Sequence, residues 1–129
     1  MIYLDASIVL AQLLAEDRLP PPDFWDEPLV SSRLTEYEVW TRLHSRGLAA
    51  SHGENARLLF GRLAMLELAR PVLGRALEPF PAPVRTLDAL HLASAHFLRD
   101  QGQQVRIASY DTRMNQVASA LGFELYPGV

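Results

Sequence analysis

The sequence contains no cysteine and no lysine, and these two absences exclude several kinds of chemistry. Without cysteine, the chain forms no disulfide, no cysteine-ligated zinc or iron–sulfur site and no thiolate nucleophile. Without lysine, a Schiff-base lysine and the lysine of a phosphate-binding P-loop are excluded as well. Carboxylates, histidines and arginines are therefore the charged groups left to do chemistry.

The chain also lacks a long hydrophobic run and an excess of basic charge. The longest apolar stretch, residues 8–15, is interrupted by Gln12 and is too short to cross a bilayer. The first residues carry Asp5 and no basic cluster, unlike a signal peptide, so we expect a cytoplasmic protein that does not bind membranes. The 12 basic and 15 acidic residues give a net charge of −3, which argues against passive coating of nucleic acid.

The length of 129 residues, with 49% hydrophobic and 21% charged, predicts one globular domain over 1–129. Strand-like apolar runs recur along the chain, at residues 1–4, 29–31, 105–109 and 123–126. A further run at 65–68 suits either a strand or the end of a helix. Helical apolar patterns lie between these runs, and the alternation predicts an α/β fold. We expect a three-layer sandwich with a mainly parallel central sheet.

Four acidic residues occupy comparable places relative to these predicted elements. Asp5 directly follows the first strand, and Asp111 follows the strand that ends near Ser109. Glu38 and Asp88 each lie in the first turns of predicted helices. Because helices that follow parallel strands begin at the carboxyl edge of the sheet, all four carboxylates can converge on one crevice.

Converging carboxylates repel one another unless a cation neutralises them. Mg²⁺ and Mn²⁺ suit such a site because they are hard ions that prefer oxygen ligands. A divalent ion held there would lower the pKa of a bound water and offset charge on a transferring phosphoryl group. The pattern therefore favours a metal-dependent phosphodiester hydrolase.

Helix capping offers a structural alternative for each of the four acids. Asp5 and Asp111 suit the N-caps of the helices that follow them. Glu38 fits a capping box with Thr35, and Asp88 lies where a helix macrodipole favours negative charge. Taken singly, the acids do not distinguish a metal site from a set of helix caps.

Four short motifs resemble, in order and spacing, those of PIN-domain ribonucleases, and specifically of the VapC-type toxins of bacterial toxin–antitoxin pairs. The motifs are residues 1–7 (MIYLDAS), 32–39 (SRLTEYEV), 86–93 (TLDALHLA) and 109–111 (SYD), the last followed by Ala118 and Leu121-Gly122. Their acids are, in order, Asp5, Glu38, Asp88 and Asp111. Glu36 lies near the second acid but falls on a variable position of the family. Ser109 stands where threonine is commoner, and it keeps the hydroxyl.

The resemblance implies a PIN-like fold and metal-dependent endoribonuclease activity. The four acids would be the catalytic residues and the ligands of Mg²⁺ or Mn²⁺. The resemblance also implies an RNA substrate, a homodimeric toxin, and a cognate antitoxin protein that blocks the acidic groove, often through an inserted arginine.

Other polar residues near the four acids are expected in supporting roles. Ser7 and Ser109 offer hydroxyls to the acids beside them, and Asn115, one helical turn beyond the fourth acid, is placed to reach a metal-bound water. His91 lies three residues after the third acid, where packing in the core is preferred over contact with the site. Four arginines flank the motifs, as phosphate ligands or as solvated surface: Arg33, Arg42, Arg85 and Arg113.

Functions of other classes predict different features at the same positions. A non-catalytic PIN-like interaction module, whose acids only cap helices, predicts no RNA cleavage and no cation-dependent thermal shift. A phosphoacceptor domain resembles a different pattern, with adjacent acids after the first strand and a later lysine, and neither is present. A haloacid-type phosphatase would carry a second aspartate two residues after the first, where this chain has Ser7.

Overall fold

A computed structural model describes all 129 residues. Its strands are Ile2–Leu4 (β1), Leu29–Ser32 (β2), Leu63–Leu66 (β3), Arg106–Ala108 (β4) and Glu124–Leu125 (β5). Its α-helices are Ala6–Leu13 (α1), Arg33–Ser45 (α2), Ala49–Phe60 (α3), Arg70–Ala76 (α4), Thr86–Asp100 (α5) and Thr112–Ala120 (α6). A short 3₁₀ helix covers Pro22–Asp26. The ambiguous apolar run is therefore a strand, shifted two residues towards the N-terminus.

The strands form one sheet in the order β3-β2-β1-β4-β5, and every neighbouring pair is parallel. This confirms the predicted α/β fold, with a sheet that is wholly rather than mainly parallel. β1 lies at the centre, and all three of its residues are fully buried. A strand buried on both faces reads as a continuous apolar run, as residues 1–4 do.

Successive side chains of β1 point to opposite faces of the sheet and enter two separate cores. Ile2 and Leu4 pack with apolar residues of α1, α2 and α3 on one face. Tyr3 packs on the other face with residues of α5 and α6, among them Leu92 and Met114. Two helical layers therefore enclose the sheet, which is the predicted three-layer arrangement. No helix is long and apolar enough to cross a membrane.

The start of α2 differs from the prediction. Ser32 is the N-cap, and its hydroxyl accepts a hydrogen bond from the amide of Leu34 at 3.0 Å. Thr35 lies inside the helix, where its hydroxyl accepts a hydrogen bond from Ser31 at 2.7 Å. The predicted capping box of Thr35 with Glu38 is therefore wrong, because an earlier serine already satisfies the helix start. Glu38 consequently has no capping role.

Candidate active site

The two acids that follow strands lie at a switch point of the sheet. β1 and β4 are neighbours, with Leu4 beside Ala108, and they end at the same edge. From β1 the chain continues to strands on one side, and from β4 it continues to β5 on the other. In an open parallel sheet, a crevice opens where the connections diverge in this way. Asp5 and Asp111 therefore lie on the two sides of this crevice.

A cavity of about 440 Å³ opens at this edge, and all four acids of the motifs line it: Asp5, Glu38, Asp88 and Asp111. β1 and β4 contribute the residues that follow them, α2 contributes Glu38 and α5 contributes Asp88. Ser7 and His91 line the same cavity. The fold thus brings together acids that are far apart in the sequence.

Asp5 is the most deeply buried of these acids, with 5% of its surface exposed. One carboxylate oxygen accepts hydrogen bonds from the amide and the hydroxyl of Ser7, and the other accepts one from the Ser109 hydroxyl at 2.7 Å. Burial raises the pKa of Asp5, and the hydrogen bonds from the two serines act in the opposite direction. The side chain is therefore held in one orientation at the base of the cavity.

The same two serines connect the ends of β1 and β4. The Ser7 hydroxyl accepts a hydrogen bond from the amide of Tyr110, and the Ser109 hydroxyl accepts one from the amide of Asp111, both at 2.9 Å. Ser7 contacts Asp5, as expected from the sequence. Ser109 also contacts Asp5 and touches Asp111 only at its backbone, so both hydroxyls support the same carboxylate.

Asp111 and Asp88 differ in how the protein holds them. One oxygen of Asp111 accepts hydrogen bonds from the amides of Arg113 and Met114 and caps α6, which leaves the other oxygen without a protein partner. Asp88 accepts no hydrogen bond. Partial burial and the nearby charges of Asp111 and Asp5 raise the pKa of Asp88. The three aspartates are therefore close enough to repel one another.

Glu38 is held by a histidine that the sequence assigned to the core. The Nε2 atom of His91 lies 2.6 Å from the Oε1 atom of Glu38. The Nδ1 atom of the same ring lies 2.7 Å from the hydroxyl of Tyr3. His91 is buried, with 2% exposed, so the preferred packing is correct, but the ring also touches the site. Its place three residues after Asp88 was the available sequence signal; Tyr3 carried none beyond its place in a buried strand.

Asn115 and the four flanking arginines lie in different environments. The amide of Asn115 donates a hydrogen bond to the carbonyl of Ser109 at 2.9 Å, and its side chain does not line the cavity of the four acids. Arg33 forms ion pairs with Glu36 and Glu67. The others lie nearer the acids: Arg42 and Arg85 line their cavity without an ion pair, and Arg113 lines a smaller cavity beside Asp88.

The donor set fits a hard divalent ion, although the side chains do not surround one point. No group of three acidic or histidine side chains is arranged to hold a metal ion as it stands. Mg²⁺ keeps several of its waters, however, and binds proteins through one or two carboxylates rather than through a complete cage. The unpartnered oxygens of Asp88 and Asp111 are carboxylate oxygens of this kind, and a bound cation would relieve the repulsion between the two side chains.

Comparison with known proteins agrees with this geometry. The sequence profile of the PIN domain family matches residues 2–120. The chain is 36% identical to Ribonuclease VapC46 of Mycobacterium tuberculosis (strain ATCC 25618 / H37Rv) over 94% of its own length and 92% of that protein. The chain therefore belongs to the PIN domain family, which confirms the family predicted from the four motifs. The name of that relative identifies it as a VapC ribonuclease.

Solved structures share the fold at low sequence identity. VapBC2 from Rickettsia felis, bound to a DNA fragment from its promoter, contains a chain that superposes with a TM-score of 0.73 at 11% identity, covering 98% of both chains. A toxin–antitoxin complex from Klebsiella pneumoniae contains another, with a TM-score of 0.62 at 13% identity over 88% of both chains. At these identities the likeness establishes the fold, which is the α/β arrangement predicted above.

Proposed function

We propose that this chain is a metal-dependent endoribonuclease that hydrolyses RNA phosphodiester bonds, and the toxin component of a type II toxin–antitoxin pair. The observation that carries the proposal is the convergence of the carboxylates of all four motifs on one cavity at the switch point of the sheet. The name of the Mycobacterium tuberculosis relative, a ribonuclease, supports the choice of RNA as substrate.

In this proposal the four acids hold Mg²⁺ or Mn²⁺, and each has a distinct part. When bound, the metal supplies an activated water and neutralises charge on the phosphoryl group. Asp5 provides a rigid anchor because three hydrogen bonds fix both of its oxygens. Asp88 and Asp111 offer unpartnered oxygens, and Glu38, which lines the same cavity, offers its Oε2 atom.

Arg42 and Arg85 are the groups we propose for binding the RNA backbone. Both line the cavity of the acids, and neither is engaged in an ion pair. A guanidinium matches the geometry of a phosphate and binds it through two parallel hydrogen bonds. These arginines would hold the phosphates that flank the cleaved bond, which explains how a protein with a net charge of −3 binds an anionic substrate.

The proposal extends to the partners and the compartment. We propose a cognate antitoxin protein that occupies the acidic cavity, a homodimeric toxin and a cytoplasmic location. The toxin–antitoxin complex from Klebsiella pneumoniae, one chain of which shares this fold, supports an antitoxin partner. A guanidinium inserted among four carboxylates would be held by strong, charge-assisted hydrogen bonds.

The test is mapping of RNA ends after expression of wild type, Asp5→Asn and Asp88→Asn. The asparagine variants keep the shape of each side chain and remove its charge. We expect new RNA ends and growth arrest with wild type, and neither with the two variants. Asp23→Asn is a matched control, since Asp23 is exposed on the 3₁₀ helix outside the cavity, and it should behave as wild type. Cleavage that survives both site substitutions would show that the proposal is wrong.

A second candidate is a catalytically inactive PIN-like interaction module. The observation in its favour is that Asp5 and Asp111 cap α1 and α6 through hydrogen bonds from backbone amides. The burial of Asp5, and the partial burial and repulsion that raise the pKa of Asp88, are costs that helix capping does not explain. This candidate predicts RNA ends that are identical for wild type and Asp5→Asn, and no thermal shift with Mn²⁺.

A further inference from the structure

A buried chain of hydrogen bonds runs from β1 to the cavity. It links the Tyr3 hydroxyl to His91 Nδ1 and then His91 Nε2 to Glu38 Oε1, over 2.7 and 2.6 Å. Tyr3 is fully buried and His91 nearly so, and the two rings meet edge to face with their centroids 5.9 Å apart. Neither residue has a part in the proposed reaction, and the cost of burying their polar atoms is offset only while these hydrogen bonds are made.

We propose that Tyr3 and His91 are positioning residues: Tyr3 fixes the tautomer of His91, and His91 in turn holds the Glu38 carboxylate for the metal. The inference rests on the proposed metal-dependent function, since Glu38 is assigned there as a ligand. It assigns roles to two residues outside the four acids.

The positions of the hydrogens follow from the two contacts. A carboxylate only accepts hydrogen bonds, so the Nε2 atom, 2.6 Å from it, must carry the hydrogen that it donates. In the neutral ring, Nδ1 is then an acceptor, and the Tyr3 hydroxyl donates to it. Burial raises the pKa of Tyr3, so the phenol keeps the proton that this bond requires. The tyrosine thereby selects the Nε2–H form of the imidazole.

This arrangement restrains one oxygen of Glu38 and leaves the other available. Glu38 has three rotatable bonds, and 22% of its side chain is exposed, so it would otherwise sample several orientations. With Oε1 held by His91, the Oε2 atom has no protein partner on the cavity wall. Carboxylates that bind metals are themselves hydrogen-bonded by neighbouring groups, and these outer partners orient them.

The same elements that carry the aspartates also carry the positioning residues. β1 supplies Tyr3 and is directly followed by Asp5, and α5 supplies both Asp88 and His91. Glu38, on α2, is therefore connected by hydrogen bonds through His91 and Tyr3 to the two elements that position Asp88 and Asp5. A shift of α2 relative to the sheet would be resisted by this chain of hydrogen bonds.

The first experiment compares wild type with Tyr3→Phe, which removes one hydroxyl and keeps the ring. Nitrogen-15 NMR of the His91 ring reports its tautomer, and titration calorimetry reports Mn²⁺ affinity in the absence of RNA. We expect wild type to be in the Nε2–H form, and Tyr3→Phe to populate both tautomers and bind Mn²⁺ about tenfold more weakly. Tyr126→Phe is the control, because Tyr126 packs against Phe24 away from the cavity, and it should match wild type.

A second pair of variants keeps the inference testable if Tyr3→Phe folds poorly. Glutamine places its amide nitrogen near the position of Nε2, so His91→Gln keeps the hydrogen-bond donor to Glu38. Asparagine places its amide nitrogen near the position of Nδ1, so His91→Asn lacks this donor. We expect His91→Gln to retain most of the Mn²⁺ affinity and His91→Asn to lose tenfold or more. Equal affinities in the two variants would argue for a packing role alone.

The failure of this inference is separable from the failure of the proposed function. Wild type that binds no Mn²⁺ would overturn the metal site itself. Wild type and Tyr3→Phe that bind Mn²⁺ equally, with the same His91 tautomer, would overturn only the positioning role. A mixed tautomer with weakened Mn²⁺ binding in Tyr3→Phe, and neither change in Tyr126→Phe, supports both.

Discussion

Among the four acids, Asp88 has the least support from the surrounding protein. Asp5 and Asp111 receive hydrogen bonds from hydroxyls or amides, and Glu38 receives one from His91. Asp88 accepts none, and partial burial and the charges of Asp111 and Asp5 raise its pKa. Like-charged residues that lie close together lower the stability of a protein, and such groups are typical of functional sites.

We therefore expect Asp88→Asn to stabilise the metal-free protein. In EDTA at about pH 7, removing the repelled charge should raise the melting temperature by about 2–4 °C. The pKa of Asp88 is higher in the folded than in the unfolded protein. Wild type therefore loses stability as pH rises from the pKa of the unfolded state, about 4, through the pKa of the folded state, because Asp88 ionises over this range. The rise in melting temperature of Asp88→Asn over wild type should accordingly become smaller towards pH 4, and scanning calorimetry would measure it. A melting temperature equal to or below wild type at pH 7 would contradict this expectation.

The two cavity arginines make a separate prediction about RNA binding. In an uncleaving Asp5→Asn background, Arg42→Ala and Arg85→Ala should each weaken the binding of single-stranded RNA and lower its dependence on salt. Each lost phosphate contact should reduce the slope of log K against log salt by about 0.7. Fluorescence anisotropy over a salt series gives this slope. Arg33→Ala, whose guanidinium is already paired with Glu67, is the control and should keep the full slope.

At the scale of elements, the start of α2 shows that residues can match the spacing of a capping box without forming the cap. Thr35 and Glu38 have capping-box spacing, but β2 extends to Ser32 and the helix begins at Arg33. Ser32 combines an extended backbone with a side chain that accepts from Leu34, as an N-cap must. The choice between Ser32 and Thr35 as the cap depends on the residue at which β2 ends. The pairing of β2 with β3, which extends to Ser32, determines that residue.

Substitution of this cap should lower stability. We expect Ser32→Ala to cost about 1 kcal/mol, since the Leu34 amide loses its partner. Urea denaturation would measure the loss as a lower midpoint with an unchanged slope. Ser51→Ala, an exposed serine in the first turn of α3, is the comparison and should change stability by less than about 0.5 kcal/mol. Equal losses in the two variants would show that Ser32 does not act as the cap.

The elements themselves were largely predictable, because their signals are local. The central strand is a continuous apolar run, and the acids follow strands or open helices at recognisable positions. The partnership of Tyr3, His91 and Glu38 was not predictable in this way, because its contacts span 88 and 53 residues. Local periodicity assigns His91 to a buried helix face, which is correct, but it carries no information on what that face meets.

At the scale of the whole molecule, the order of the strands explains why the acids meet. Asp5 and Asp111 are opposed because β1 and β4 are neighbours and the chain leaves them in opposite directions. The sequence indicated that these acids follow strands, but which strands pair is a long-range property. The net charge of −3 is unevenly distributed, since five of the 15 acids line one cavity, namely the four acids of the motifs and Glu16. A divalent ion at that place would reverse much of the charge that an RNA encounters there.

Because the repulsion between acidic side chains is concentrated in one cavity, binding of a metal ion there should stabilise the whole fold. This stabilisation distinguishes the proposed nuclease from an inactive interaction module. A ligand that binds only the folded state at 100 times its Kd adds about 2.7 kcal/mol. For a chain of this length, that corresponds to a rise in melting temperature of roughly 10 °C with saturating Mn²⁺. Scanning calorimetry of wild type should show this rise and its reversal by EDTA, and Asp23→Asn should show the same. Asp5→Asn should lose most of it, because the anchored carboxylate is gone. A rise of equal size in Asp5→Asn would locate the ion elsewhere, and no rise in wild type would favour the interaction module.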